Sequence, residues 1–316
     1  MGNLDSWKNL TSKETHFDYK RIDTEKQLAE FMSVQTQGWY FRGMHEARYR
    51  IFSSSQREWI QKELRNRFGD YDVFINDLIS EAKSINGGFI PKMLEKFGTN
   101  ANELVLLSFL QHYGAPTPLI DFTHDKNIAL FFAVDGARYT PGDGIENYVS
   151  IYGLPSDQGD LTNLRDIIKN AKDKLAGIAT KYGKDSIEQA DGRLETYDQA
   201  VKWNTMLSID DDGAGPGDYR TGISSNINIV AQMGLFILNP RPDIPLDEQF
   251  DGITVTNFSG QRSARIFYGR MHCWDIHKSL IAKVEAELHN RNIDRSTMYP
   301  DNSTLAKKTY LNVLSS

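Results

Sequence analysis

Apolar residues along this chain recur at two periods, near 3.6 and near 2, and the switches between them mark out its elements. After a polar, aperiodic stretch over residues 1–20, the run IDTEKQLAEFMSVQ sets Leu28, Phe31 and Met32 on one face and predicts a helix capped by Asp23 or Thr24. GWYFRG follows with strand-forming aromatics, and Gly43 breaks the run straight after Arg42. Trp59, Leu64, Phe68, Phe74, Leu78, Ile79 and Ala82 fit one or two helices interrupted near FGDYD. ANELVLLSFLQHY (101–113) is helically spaced, with Asn100 or Asn102 as its start and Gly114 and Pro116 closing it. PTPLIDFT then alternates like a strand, and HDKNIALFFAVDGA returns to the helical period.

YVSIYGL (148–154) reads as a strand, and INIVAQMGLFIL (227–238) as one or two apolar strands joined near Gln232–Gly234. ITVTNFS and ARIFYGRM suggest further strands, and IHKSLIAKVEAELHNRNI a closing amphipathic helix. Residues 156–200 look like a charged, helix-rich insertion with a single apolar stripe. Strands separated by helical stretches predict an α+β fold: a mixed, strongly twisted sheet holding 38–43, 117–123, 148–154 and 229–238, with helices packed around it. With no repeat and no second boundary, 21–316 reads as one domain behind a polar N-terminal extension, residues 1–20.

Composition narrows the function classes. The 316 residues are 40% hydrophobic and 25% charged, enough to bury a sizeable core. No run approaches the roughly 18 apolar residues a membrane helix needs, and the start lacks the basic-then-apolar order of a signal peptide. The expectation is a cytoplasmic protein with no membrane partner. A formal net charge of −6 argues against a general nucleic-acid coat and leaves room for a local basic pocket. Cys273 is the only cysteine, so no internal disulfide is expected. His272, His277 and His289 are not spaced to share a metal-binding face, and DDDGAGPGD (210–218), read as a mobile loop, lacks the ligand spacing of a calcium loop. No metal is expected. GxGxxG, GxxxxGK[ST], HExxH and GxSxG are all absent.

What remains is a set of polar residues in apolar surroundings. Arg42 sits on an aromatic strand, and a buried guanidinium needs a carboxylate or phosphate partner. Gln111, His112, Thr117, Asp121 and Thr123 punctuate an apolar helix and strand, and Gln232 interrupts an apolar strand. By the period-two rule Thr117, Leu119, Asp121 and Thr123 share one face. Asp121 is the natural partner of Arg42 or His112. Two readings stay open: a polar core whose members satisfy one another, and a cleft on which Arg42, His112, Asp121 and Gln232 converge around a nucleotide-sized ligand.

Phe41-Arg42-Gly43, QHYGAPTPLIDFTHDKNIALFFA (111–133), VAQMGLFIL (230–238) and MYPDNSTLAK (298–307) resemble, in order and spacing, the segments of the FRG-domain family, over about 25–310 of the chain. The chain departs from the family where Pro118 stands in place of a basic residue and where Asn302 and Ser303 replace a Leu-Asp pair. A more distant likeness is to the ADP-ribosyltransferase fold. That likeness implies NAD as the substrate, Arg42 and Gly43 on the first strand holding it, and Thr117 and Thr123 flanking the nicotinamide. It puts Gln232 where a catalytic glutamate is expected, with Asp121 and His112 as the other catalytic candidates. It further implies transfer to a protein or nucleic-acid acceptor, as a toxin or defence effector does. The alternative it leaves is a non-catalytic module that binds a nucleotide or a partner.

Overall fold

The computed structural model of the protein describes residues 2–34, 39–96, 101, 103–142, 144–155, 206–207, 229, 231–239, 241–248 and 271–300. Helix α1 (Leu10–His16) is capped by Asn9, whose side chain accepts from Ser12 N, and leads into strand β1 (Asp18–Ile22). Helix α2 (Glu25–Ser33) starts in a capping box between Thr24 and Gln27 and buries Leu28 and Phe31. Strand β2 (Trp39–Met44) follows. Then come α3 (Ser54–Gln61), boxed by Ser53 and Gln56, the short α4 (Arg65–Phe68), and α5 (Tyr71–Lys96), whose backbone leaves helical geometry over Ile85–Gly88. Helix α6 (Glu103–His112), strand β3 (Leu119–Thr123) and helix α7 (Lys126–Val134, capped by Asp125) form the dense centre of the chain.

Strands β4 (Tyr148–Pro155), β5 (Met206–Leu207), β6 (Gly234–Leu238) and β7 (His272–His277) complete the described sheet, and α8 (Ile281–His289) and α9 (Arg295–Met298) follow it. The seven described strands form one sheet in the order β1-β7-β4-β2-β3-β6-β5. β1 runs parallel to β7 and every other pairing is antiparallel, so the sheet is mixed and the fold is α+β.

Several expectations shift. Residues 10–16, read as part of an aperiodic extension over 1–20, are a helix, and 18–22, which straddle its end, are a paired strand: Phe17 is buried in the core and Lys13 is fully buried against Asp275. The strand expected over 117–123 begins at Leu119, since Pro118 has no N–H for a ladder. The strand expected over 229–238 begins at Gly234: residues 229 and 231 are helical and 232–233 turn, with Met233 at φ 44. β7 starts on the strand side of the helix expected over 276–293, which narrows to α8. The insertion at 156–200, ITVTNFS, the loop at 210–218 and nearly all of ARIFYGRM lie outside the described residues.

The sheet is covered on both faces. On one, Phe41 and Ile151 pack against Leu28 and Phe31 of α2, Ile128, Ala129 and Ala133 of α7, and Val284 and Leu288 of α8. Farther along the same face α5 and α6 cover Leu119 and Phe236. On the other, Ile120, Phe122, Tyr152 and Leu235 pack with Phe17, Ile51 and Leu246. Burying side chains of this size contributes about 1.5–3 kcal/mol each before conformational entropy is charged against it. No helix among the described residues is long and apolar enough to cross a membrane.

Candidate functional site

β2 and β3 touch in register at one pair, Phe41 with Thr123, although β2 matches β4 along its whole length and β3 matches β6 along its own. Beyond that pair the two strands part, and the sheet opens near its middle. A cavity of about 440 Å3 occupies the opening, within the roughly 300–1,000 Å3 usual for small-molecule sites. Arg42, Gly43, His112, Asp121, Thr123 and Gln232 all line it. These six were singled out from the sequence, and the fold brings them to one place.

Arg42 alternates with Phe41 and Gly43, so its side chain leaves β2 on the opposite face from theirs. Its Nη1 donates to the Asp121 backbone carbonyl at 2.6 Å, replacing with a side chain the ladder bond lost where the strands part. Its Nε is shielded from water and has no partner among the described residues. Such an orphaned donor costs about 1–3 kcal/mol. Burial lowers the Arg42 guanidinium from its ordinary range, the Asp121 charge works against this, and the nearby Arg57 adds to it.

Asp121 is exposed between buried neighbours on β3. Its carboxylate forms no ion pair among the described residues; Oδ2 accepts from Gln111 Nε2 at 3.1 Å. The Arg42–Asp121 link thus runs through the main chain, not through paired charges, and the polar residues do not saturate one another. His112 ends α6, and burial lowers its imidazole below the usual histidine range against the pull of Asp121, which favours the neutral ring near pH 7.

Three candidates are otherwise engaged. Thr117 does not line the cavity: it is fully buried, and its Oγ1 donates to Gln111 Oε1 at 2.6 Å. Thr123 Oγ1 donates to the Gln232 carbonyl at 2.7 Å and accepts from Asp125 N, tying β3 to α7. Gln232 stands in the turn before β6, not on a strand, and its Nε2 donates to the Met298 carbonyl at 2.9 Å. It holds the segment carrying Tyr299 across the cavity.

The family comparison bears on this geometry. Residues 37–140 match the model of the FRG domain. This stretch of the chain is an FRG domain. It runs from β2 to the end of α7, so it contains Arg42, Gly43, His112, Thr117, Asp121 and Thr123, while Gln232 and Tyr299 reach the same cavity from outside it. No curated protein and no solved structure matches the chain.

Within the FRG domain the sequence reading ranked Gln111 too low. It is the only described side chain that bonds the Asp121 carboxylate, and its place in the Gln-His-Tyr-Gly turn was a usable signal. Arg57 gave none. On α3 it looks like any surface arginine, yet its Nη1 donates to the Phe52 carbonyl and burial lowers its pKa, with Asp121 opposing. It is a second cation near Asp121 where Pro118 supplies none. Phe132 and Tyr299, with ring centroids 6.2 Å apart, add an aromatic side to the cavity.

Proposed function

We propose that the cavity binds NAD and that the protein is an ADP-ribosyltransferase-like enzyme acting in the cytoplasm on a protein or nucleic-acid acceptor, as a toxin or defence effector does. The observation that carries this reading is a cavity lined by both Arg42, whose buried Nε has no partner among the described residues, and Asp121, whose carboxylate forms no ion pair among them. Arg42, backed by Arg57, supplies the positive field for a diphosphate. As the bond from nicotinamide to the ribose carbon breaks, its electron pair leaves with nicotinamide and positive charge builds on the ribose, where a fixed carboxylate stabilises it. The acceptor's oxygen or nitrogen then bonds that carbon, and neutral His112 takes its proton. Phe132 and Tyr299 offer surfaces for stacking a flat ring. Gln232 has no catalytic part here, since its amide holds Met298.

The test is incubation with NAD labelled in the nicotinamide ring, with binding measured in parallel by calorimetry. Wild-type protein is expected to release nicotinamide. Arg42→Lys should weaken NAD binding about tenfold, because the ammonium keeps the charge and loses the fork. Asp121→Asn should slow release about 100-fold while binding survives. Binding without release in the wild type would replace the enzyme with a nucleotide-binding module, the reading that the neutral, engaged Gln232 favours. No binding at all would overturn both.

A further inference from the structure

Gln111 joins the open carboxylate to two hydroxyls deeper in the fold. Its Oε1 accepts from Thr117 Oγ1 at 2.6 Å and from Ser54 Oγ at 3.3 Å, while its Nε2 donates to Asp121 Oδ2 at 3.1 Å. A carboxamide can turn over, exchanging oxygen for nitrogen, so its orientation depends on its partners. Here the partners choose. Thr117 Oγ1 accepts from Leu119 N at 3.3 Å and Ser54 Oγ accepts from Thr117 N at 2.9 Å. Each hydroxyl therefore has its proton left to give. Thr117 gives its own to Gln111 Oε1, and Ser54 shares its own between Gln111 Oε1 and the Thr117 carbonyl, 3.2 Å away. The amide oxygen is drawn inward and the NH2 is left facing Asp121.

The consequence falls on Asp121. Arg42 bonds its backbone and not its carboxylate, and among the described residues no cation bonds the side chain. The torsion of the Asp121 carboxylate is held by a neutral donor that takes Oδ2 and leaves Oδ1 for a ligand. We propose that Gln111 is a positioning residue, set by Thr117 and Ser54, that aims the Asp121 carboxylate into the cavity. The proposal takes its chemistry from the NAD reading and its geometry from the free protein. It also gives Thr117 a role: buried off the cavity, it acts on the site through Gln111.

The experiment has two arms. In the free protein with 15N-labelled glutamine side chains, the Gln111 amide pair is assigned by its loss in Gln111→Met. Those resonances should shift in both Asp121→Asn and Thr117→Val; if neither variant moves them, the proposal is overturned whatever the cavity binds. With NAD, Gln111→Met and Thr117→Val should each lower kcat for nicotinamide release by about 10–100-fold with KM changed less than about threefold, as a misaimed group does. Gln111→Met added to Asp121→Asn should cost nothing more. Losses that multiply, or that appear in KM alone, would overturn it. A wild-type protein that releases no nicotinamide defeats the NAD reading, and the resonance arm then judges Gln111 alone.

Discussion

A Cβ at Gly43 would lie 1.8 Å from the Ala129 carbonyl oxygen and 2.7 Å from Ala133 N, both backbone atoms of α7. The glycine beside Arg42 is required by the helix packed on it, in addition to whatever it offers a ligand. Gly43→Ala must push α7 off β2, and we expect a loss of about 1–3 kcal/mol in urea denaturation, the usual cost of overpacking. Unchanged stability would show that α7 yields freely. A second residue-scale prediction concerns Lys13. Its Nζ donates to Asp275 Oδ1 at 2.6 Å, to Ser150 Oγ at 2.8 Å and to the Ala47 carbonyl at 3.1 Å, with both charged side chains shut off from water. Burial alone pulls the ammonium down, but Cys273, Tyr152 and Asp275 more than reverse it, so Lys13 sits above the ordinary lysine range. Burial pushes the Cys273 thiol and the Tyr152 phenol up, so both stay neutral near neutrality. The stability the Lys13–Asp275 pair contributes is whole below the unfolded lysine pKa and is lost as pH climbs past it. Lys13→Met strands Asp275 without a countercharge and should cost about 3–5 kcal/mol at neutral pH, while adding Asp275→Asn should recover much of that.

Elements meet through side chains that cross between them. Lys126, in the first turn of α7, donates to the Phe31 and Val34 carbonyls at 2.6 Å each, placing a cation at the C-terminal end of α2. Burial lowers its pKa from 10.5 to about 8, Asp125 pulls the other way and Arg291 adds to the fall. A lysine depressed in the folded state binds its proton less tightly than in the unfolded chain, so it weakens the fold below about pH 8 and that penalty lifts between about 8 and 10.5. Denaturation midpoints of the wild type should therefore rise relative to Lys126→Met across this window; parallel curves would show that Lys126 does not titrate there. Helix α5 carries another local device, since Asn86, Gly87 and Gly88 at φ 51, 69 and 77 turn the chain before Pro91, which then stands near the start of a new helical segment. The break falls just past Ala82, the last helical position the sequence pattern picks out, at an Asn-Gly-Gly run of the kind that stops a helix. The strand expected over 229–238 survives only from Gly234 onward, for the converse reason. Its residues are apolar enough for a strand, but the chain must turn at Gln232 so that its amide can hold Met298 and its carbonyl can receive Thr123.

At the scale of the molecule, the cavity exists because the sheet opens between β2 and β3, and that opening depends on order β1-β7-β4-β2-β3-β6-β5. The α+β class, α2, α6, α7, β2, β3 and β4 were legible from local signals, as was the oddity of Arg42, His112, Asp121 and Gln232 in apolar surroundings. Caps, Gly and Pro stops and the two apolar periods act over a few residues, so the sequence alone determined these elements and which polar side chains stood out against them. It could not reveal β1 and β7, because DYKRI and HCWDIH carry charges that read as exposed. Asp275 becomes a core residue only when Lys13, 262 positions earlier, arrives to neutralise it. Nor could it choose between Arg42 meeting the carboxylate or the carbonyl of Asp121, or put Thr117 behind Gln111 and not at the cavity. Those outcomes depend on which groups lie within about 3 Å after chain closure, a distance that hydrophobic pattern does not encode. Tertiary structure alone decided them, since desolvation makes every buried polar group take whatever partner packing has left within reach.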